Sequence, residues 1–268
     1  MGDLSSVQSS GPVILLIGPP LVGKSVLSSQ FPKPTFISMD GNMSSILSMR
    51  AQHKLDFNLR VFSIDEAETT DPEFLELCPK FQKMSAWDKA KKLVSVLSRQ
   101  MKADETLVID PLTRLCEYLV NHLEKVTGHH PIQIQDWMTF TDELLGFFDM
   151  IKSSARQCNV IIIAHDQIEK NEVTGDWARL LLIPSRLRYR IPSIATDYLY
   201  YKVDVRGAAN ARKVKRILQT APDPMIVTGS RFLIPDIESP TYEKLRPFFS
   251  AALNRDLGEP TWTPKDVN

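Results

Sequence analysis

The chain has 268 residues, enough for one large domain or two small ones, and with 43% hydrophobic and 24% charged residues it has an ordinary globular balance. Lys+Arg and Asp+Glu are both 32, a formal net charge of zero, so overall charge gives no argument for nucleic-acid binding and any such site must be a local patch. Cys78, Cys116 and Cys158 are odd in number and far apart, as expected of reduced thiols in a cytoplasmic protein, and no apolar run is long enough to cross a bilayer.

Residues 1–10 are polar and Ser-rich and are expected to form a loose tail. Val13–Ile17 is short, apolar and β-branched, which predicts a buried strand. Gly18-Pro19-Pro20-Leu21-Val22-Gly23-Lys24-Ser25 follows, and residues 26–30 open a helix. Gly, four residues, then Gly-Lys-Ser between strand and helix is a phosphate-binding loop. Polyphosphate is dense negative charge, so several backbone N–H groups must converge on it. Gly18 and Gly23 allow backbone angles and close approaches that side chains forbid. Lys24 supplies a point charge for the β- and γ-phosphates, and Ser25 an oxygen for Mg²⁺. The alternative is a Gly-Pro turn with no ligand.

Prolines 32 and 34 end the first helix, and residues 35–39 read as a second strand closing on the turn Asp40-Gly41-Asn42. Residues 59–64 read as a third strand, and 65–84 as acidic loop with a short helix. Ser85 and Asp88 resemble a capping box. Beyond them Trp87, Ala90, Val94, Leu97 and Met101 recur at helical spacing, with Lys89, Lys91 and Lys92 assigned to a basic outer side. Residues 106–109 form an apolar strand ending in Asp110, and Pro111 starts a helix running toward Gly128. A long aromatic-rich helix follows Asp136. Asn159–Ala164 is the most apolar strand and ends in His165.

Residues 166–196 read as a long, polar, arginine-rich connection. Residues 198–205, 214–218 and 225–228 then read as consecutive strands, which suggests an antiparallel extension. Residues 241–249 read as a last short helix before a polar tail. The expected organisation is a core over 11–236, followed by a C-terminal helix and tail over 237–268.

Alternating strands and helices imply a mostly parallel sheet with helices on both faces, and ligands sit at the carboxyl ends of such strands. Lys24, Ser25, Asp40, Asp110 and His165 all fall at such ends. Asp110, closing an apolar strand, is placed to hold Mg²⁺ through water; the alternative is a helix cap. Asp40 is the candidate to position an attacking water; the alternative is a turn aspartate. His165 is a candidate γ-phosphate sensor; the alternative is a structural histidine.

The ordered set Gly-Pro-Pro-Leu-Val-Gly-Lys-Ser, Phe-Pro-Lys-Pro-Thr-Phe-Ile-Ser-Met-Asp, Leu-Val-Ile-Asp-Pro-Leu-Thr-Arg-Leu and Val-Ile-Ile-Ile-Ala-His resembles the phage-encoded RecA-like ATPases of single-strand annealing and recombination. The resemblance implies a RecA-like P-loop core, ATP and Mg²⁺, a homo-oligomer, single-stranded DNA as partner, and the host cytoplasm. It aligns Asp40 with a water-activating glutamate, one methylene shorter here. It aligns Arg231 with an arginine that reaches a neighbour's active site, although Gly229 stands where a lysine is expected. It places DNA on the loop holding Arg179, Arg186, Arg188, Tyr189 and Arg190; an extended 186–190 segment would put its three arginines on one side. A P-loop kinase for nucleosides or other small molecules, or a non-hydrolysing nucleotide-gated mediator, are the alternatives.

Overall fold

The structure is a computed structural model and describes residues 11–67, 71–79, 84–170, 175–184, 187–206, 213–253 and 256–264. The expected tail over 1–10 lies outside the described residues. β1 (Val13–Ile17) is buried along its whole length at the centre of the sheet. It is followed by α1 (Lys24–Ser28), β2 (Pro34–Ser38), α2 (Ser44–His53), β3 (Arg60–Ser63), α3 (Pro72–Leu77), α4 (Ala86–Gln100), β4 (Thr106–Asp110), α5 (Leu112–Thr127), α6 (Asp136–Ser154) and β5 (Asn159–Ala164). A hairpin of β6 (Asp166–Lys170) and β7 (Trp177–Leu181) comes next, then α7 (Leu187–Arg190), β8 (Asp197–Arg206), β9 (Lys213–Gln219), β10 (Gly229–Ser230), β11 (Ile237–Glu238) and α8 (Tyr242–Leu253).

The sheet runs β11-β9-β8-β1-β5-β4-β2-β3, with β10 also on β8. Pairings from β8 through β1, β5, β4 and β2 to β3 are parallel, while β9, β10 and β11 add antiparallel edges. This is the mostly parallel α/β sheet with helices on both faces that the sequence leads one to expect, antiparallel extension included. β5 lies between β1 and β4, so His165 emerges between the phosphate loop and Asp110.

Side-chain alternation divides the core. Val13, Leu15, Ile17, Leu107, Ile109, Val160 and Ile162 pack with α4, α5 and α6 on one face. Ile14, Leu16, Val108, Ile161, Ile163 and Leu199 pack with α1, α2 and α8 on the other. Burial on both faces is why these strands read as unbroken apolar runs. Ser85 caps α4 by accepting from the Asp88 N–H, and Gly128 ends α5 in the left-handed region at φ 74°. All three cysteines are buried and free.

The structure differs from the sequence reading in several places. α2 was unexpected because its apolar positions form no stripe; Ile46 is its one buried residue. Residues 166–196 are not a plain connection. β6 and β7 pair in register as a separate two-stranded sheet, hidden in the sequence because β6 is mostly polar and half exposed and only Leu180 and Leu181 of β7 are buried. Residues 225–228 are not a strand. They close a tight turn in which Asp223 Oδ1 accepts from the N–H groups of Met225 and Ile226, both at 2.8 Å. Lys89 is not on the outer side of α4. It is buried, with Nζ donating to the carbonyls of Asp65 (3.1 Å) and Ala67 (2.5 Å).

Candidate nucleotide site

Residues 18–25 wrap the carboxyl end of β1 and enter α1 at Lys24. Gly18 has φ 148°, and a Cβ there would lie 2.2 Å from the Tyr201 carbonyl oxygen, so β8 and the loop approach at a distance only glycine permits. Gly23 has φ 107° and forms the N-cap of α1. Leu21 holds φ 64° with 95% of its surface exposed, a left-handed backbone unusual for a leucine. Lys24 is buried and folds back on the loop, its Nζ donating to the carbonyls of Gly18 and Pro19, both at 2.7 Å. Burial lowers its ammonium to about 8, against the opposing pull of Asp110 and Asp166.

Ser25 Oγ donates to Asp110 Oδ2 at 2.6 Å, which joins the loop to the end of β4. Asp110 is buried and its carboxyl is raised to about 6, chiefly by desolvation and further by the charge of Asp40, with Ser25 and Lys24 acting the other way. Among the described residues no cluster of three or more His, Cys, Asp or Glu forms a metal cage. Mg²⁺ is typically held by one or two protein oxygens together with phosphates and water. One hydroxyl and one carboxylate, meeting beside a lysine, are the donors such an ion requires.

Asp40 lies two residues beyond Ser38, the residue level with Asp110 on β2. Its side chain is exposed and caps its own turn, Oδ1 accepting from the Asn42 N–H at 2.9 Å. His165 stands level with Gly18, because β5 pairs Ala164 with Ile17. Its backbone N–H donates to Thr113 Oγ1 at 3.2 Å, and its Nδ1 is buried with no hydrogen-bond partner among the described residues. Burial, then the charge of Lys24, lowers the imidazole pKa. The ring is thus favoured neutral, with one nitrogen unsatisfied beside the loop.

The residue after His165 begins the β6–β7 hairpin. Asp166 Oδ2 accepts from Arg179 Nη1 at 2.8 Å and from the Tyr200 hydroxyl at 3.1 Å. Arg179 is therefore ion-paired, not free for a polyanion. Arg186 lies outside the described residues. Arg188 and Arg190 fall in the short helix α7, so residues 187–190 do not form the one-sided extended segment expected there: helical residues two apart point in different directions. Arg188 bonds Glu169, while Tyr189 and Arg190 are exposed. Trp177, at the hairpin end, is also exposed, with Lys170 Nζ 6.0 Å from its ring centre.

Arg231 is remote from this chain's own loop. Its N–H donates to the Thr196 carbonyl and its Nη2 to that of Ser193, level with Val13 at the opposite end of β1. Five residues of strand put it about 17 Å or more from the loop. A residue the sequence reading missed is Arg216 of β9, whose Nε donates to the Val22 carbonyl at 3.3 Å. No local signal marks it, since contact with the loop depends on pairing across β8.

A sequence profile for a family described as an AAA domain matches residues 10–232. No curated protein matches the sequence. Among solved structures, the fold is similar to the crystal structure of flagellar accessory protein FlaH from Methanocaldococcus jannaschii, at 11% identity and a TM-score of 0.39, over 78% of this chain and 77% of that one.

Proposed function

This chain belongs to the AAA domain family, and on that premise we propose that it is a Mg²⁺-dependent ATPase that assembles with copies of itself and acts on single-stranded DNA in phage recombination or annealing. The observation that carries the nucleotide reading is the meeting of Lys24, Ser25 and Asp110 across a glycine-cradled loop. Lys24 exchanges two loop carbonyls for the β- and γ-phosphates, so the bound anion inherits a ready-placed cation. Ser25 and Asp110 hold the metal, which supplies neutralisation of charge on the transferring phosphoryl group. Asp40 positions water from the neighbouring strand end, and its short reach predicts slow turnover. His165 offers its vacant nitrogen to the γ-phosphate side.

The hairpin that starts at Asp166 supports DNA as the partner read-out. Its Trp177 and Lys170, with Tyr189 and Arg190 close behind in sequence, supply exposed aromatic and cationic groups of the type that holds single strands. Asp166, with Arg179 and Tyr200, ties that hairpin to the residue next to His165. Arg231, too far to serve its own loop, fits an arginine acting on a neighbour's nucleotide.

Phosphate release measured with and without single-stranded DNA tests this. DNA-stimulated turnover lost in Lys24→Ala is expected. Equal turnover in Lys24→Ala sinks the site. Tight ATP binding without hydrolysis indicates a nucleotide-gated mediator instead, and phosphate transfer to a small acceptor indicates a kinase.

A further inference from the structure

α5 runs across the carboxyl ends of the strands. Near its start, Thr113 Oγ1 accepts from the His165 N–H at 3.2 Å, at the end of β5. Near its end, Lys125 Nζ pairs at 2.7 Å with Glu66, just beyond β3. Between them the Tyr118 hydroxyl is shared by two carbonyls, that of Met39 at 2.8 Å and that of Ile64 at 3.1 Å, where β2 and β3 leave the sheet. We propose that Tyr118 is a positioning residue for ATP hydrolysis: its hydroxyl fixes the peptide joining Met39 to Asp40 and so aims the Asp40 carboxylate, a role that rests on reading Asp40 as the residue that places the attacking water.

The Met39 carbonyl and the Asp40 N–H belong to one rigid plane, so holding the carbonyl sets the direction in which Asp40 departs from the strand. The preceding backbone is already fixed by the sheet. Met39 N–H donates to the Asp110 carbonyl and Ile64 N–H to the Ser38 carbonyl, both at 2.8 Å. Among the described residues, the Asp40 carboxylate is bonded only by its own turn, from the Asn42 N–H at 2.9 Å and Ser38 Oγ at 3.4 Å. Those bonds move with the turn. Tyr118 instead ties it to a helix 79 residues away in sequence. The charge of Asp40 acts on both Asp110 and His165, which puts it within electrostatic reach of the nucleotide groups.

Tyr118 suits this task. Its ring is buried in the cluster that holds Met39 and Ile64. The Arg114 guanidinium, ion-paired with Glu117, lies 4.9 Å from the ring centre. Burial pushes the phenol above its ordinary range, with Arg114 acting the other way, so the hydroxyl keeps its proton and stays a donor. Removing that hydroxyl leaves both carbonyls without it and lets the Met39–Asp40 peptide rotate.

The test is steady-state ATP hydrolysis by the full chain in wild type, Tyr118→Phe, Asp40→Ala, the double variant and Lys125→Ala. Phenylalanine keeps the ring and removes only the hydroxyl. In Tyr118→Phe, kcat is expected to fall about tenfold with KM within about twofold, as when an interaction acts only in the transition state. The double variant is expected to match Asp40→Ala within about twofold, because a residue acting through Asp40 then has nothing left to position. Lys125→Ala cuts the exposed ion pair of α5 and is expected to leave kcat unchanged. A wild-type kcat in Tyr118→Phe beside a slow Asp40→Ala overturns the role of Tyr118 alone. So do additive losses in the double variant, or an equal fall in Lys125→Ala, which any loosening of α5 would explain. Wild-type turnover in Asp40→Ala, or no turnover in wild type, is a failure of the Asp40 reading itself, and the role of Tyr118 falls with it.

Discussion

Ser25 and Asp110, 85 residues apart, are joined hydroxyl to carboxylate at 2.6 Å across the gap between the phosphate loop and the end of β4. Without a ligand, the hydroxyl proton serves a carboxylate that burial makes reluctant to ionise. A divalent ion held here would draw on the same hydroxyl and carboxylate oxygens and would neutralise charge beside them.

The Asp110 carboxyl makes ligand-free stability depend on pH. Its folded value of about 6 lies above the ordinary 3.8, so the folded state holds the proton more tightly. Its stabilising contribution is full below about pH 4 and is lost as pH rises through about 6, by up to ~3 kcal/mol. Urea denaturation should therefore find Asp110→Asn equal to wild type near pH 4 and more stable by about 1–3 kcal/mol at pH 7.5. An unchanged difference across that range would contradict the burial assigned to Asp110. The same variant should lose the stabilisation that Mg²⁺-ATP confers on wild type.

Lys24 predicts a proton uptake. Free, its ammonium is lowered to about 8; against a triphosphate it is raised again. Binding above pH 8 must then take up a proton, and affinity should fall by as much as about tenfold per pH unit there. Calorimetry at pH 9 in two buffers of different ionisation enthalpy measures the uptake directly. Zero net uptake would mean that Lys24 does not meet the phosphates.

Gly18→Ala should fail structurally. The new methyl would lie 2.2 Å from the Tyr201 carbonyl oxygen, at a φ that side chains rarely adopt. Backbone, not a flexible side chain, is the obstacle, so β1 and β8 must separate. A loss of at least about 2 kcal/mol in chemical denaturation is expected. Wild-type stability with intact ATP binding would show that the loop and β8 are farther apart than described.

Arg231 can be tested by mixing subunits. If it serves a neighbour, Arg231→Ala and Lys24→Ala are each inactive alone. An equimolar mixture then regains about a quarter of wild-type turnover, because one pairing in four joins an intact loop to an intact arginine. A mixture as inactive as its components would remove Arg231 from the neighbour's site. Its distance from the loop of its own chain already removes it from that one.

The elements legible in the sequence were those with local causes. β1, β4 and β5 are apolar because both faces are covered, and α4 and α5 carry their stripes and caps in plain view. α2 and the β6–β7 hairpin lacked such signals. One buries a single residue and the other only Leu180 and Leu181 at the end of β7, so each depends on what it packs against.

The sequence alone determined the phosphate loop, the parallel core and the carboxylate that ends β4, because glycine spacing and apolar runs act over a few neighbouring residues. Tertiary structure decided the rest. It paired Arg179 with Asp166, turned Arg188 and Arg190 into a helical turn, carried Arg231 to the far end of the sheet, and brought Arg216 and Trp262 to the loop's side. Those outcomes follow from strand order and from contacts between residues 13 to 233 positions apart, which no local pattern encodes.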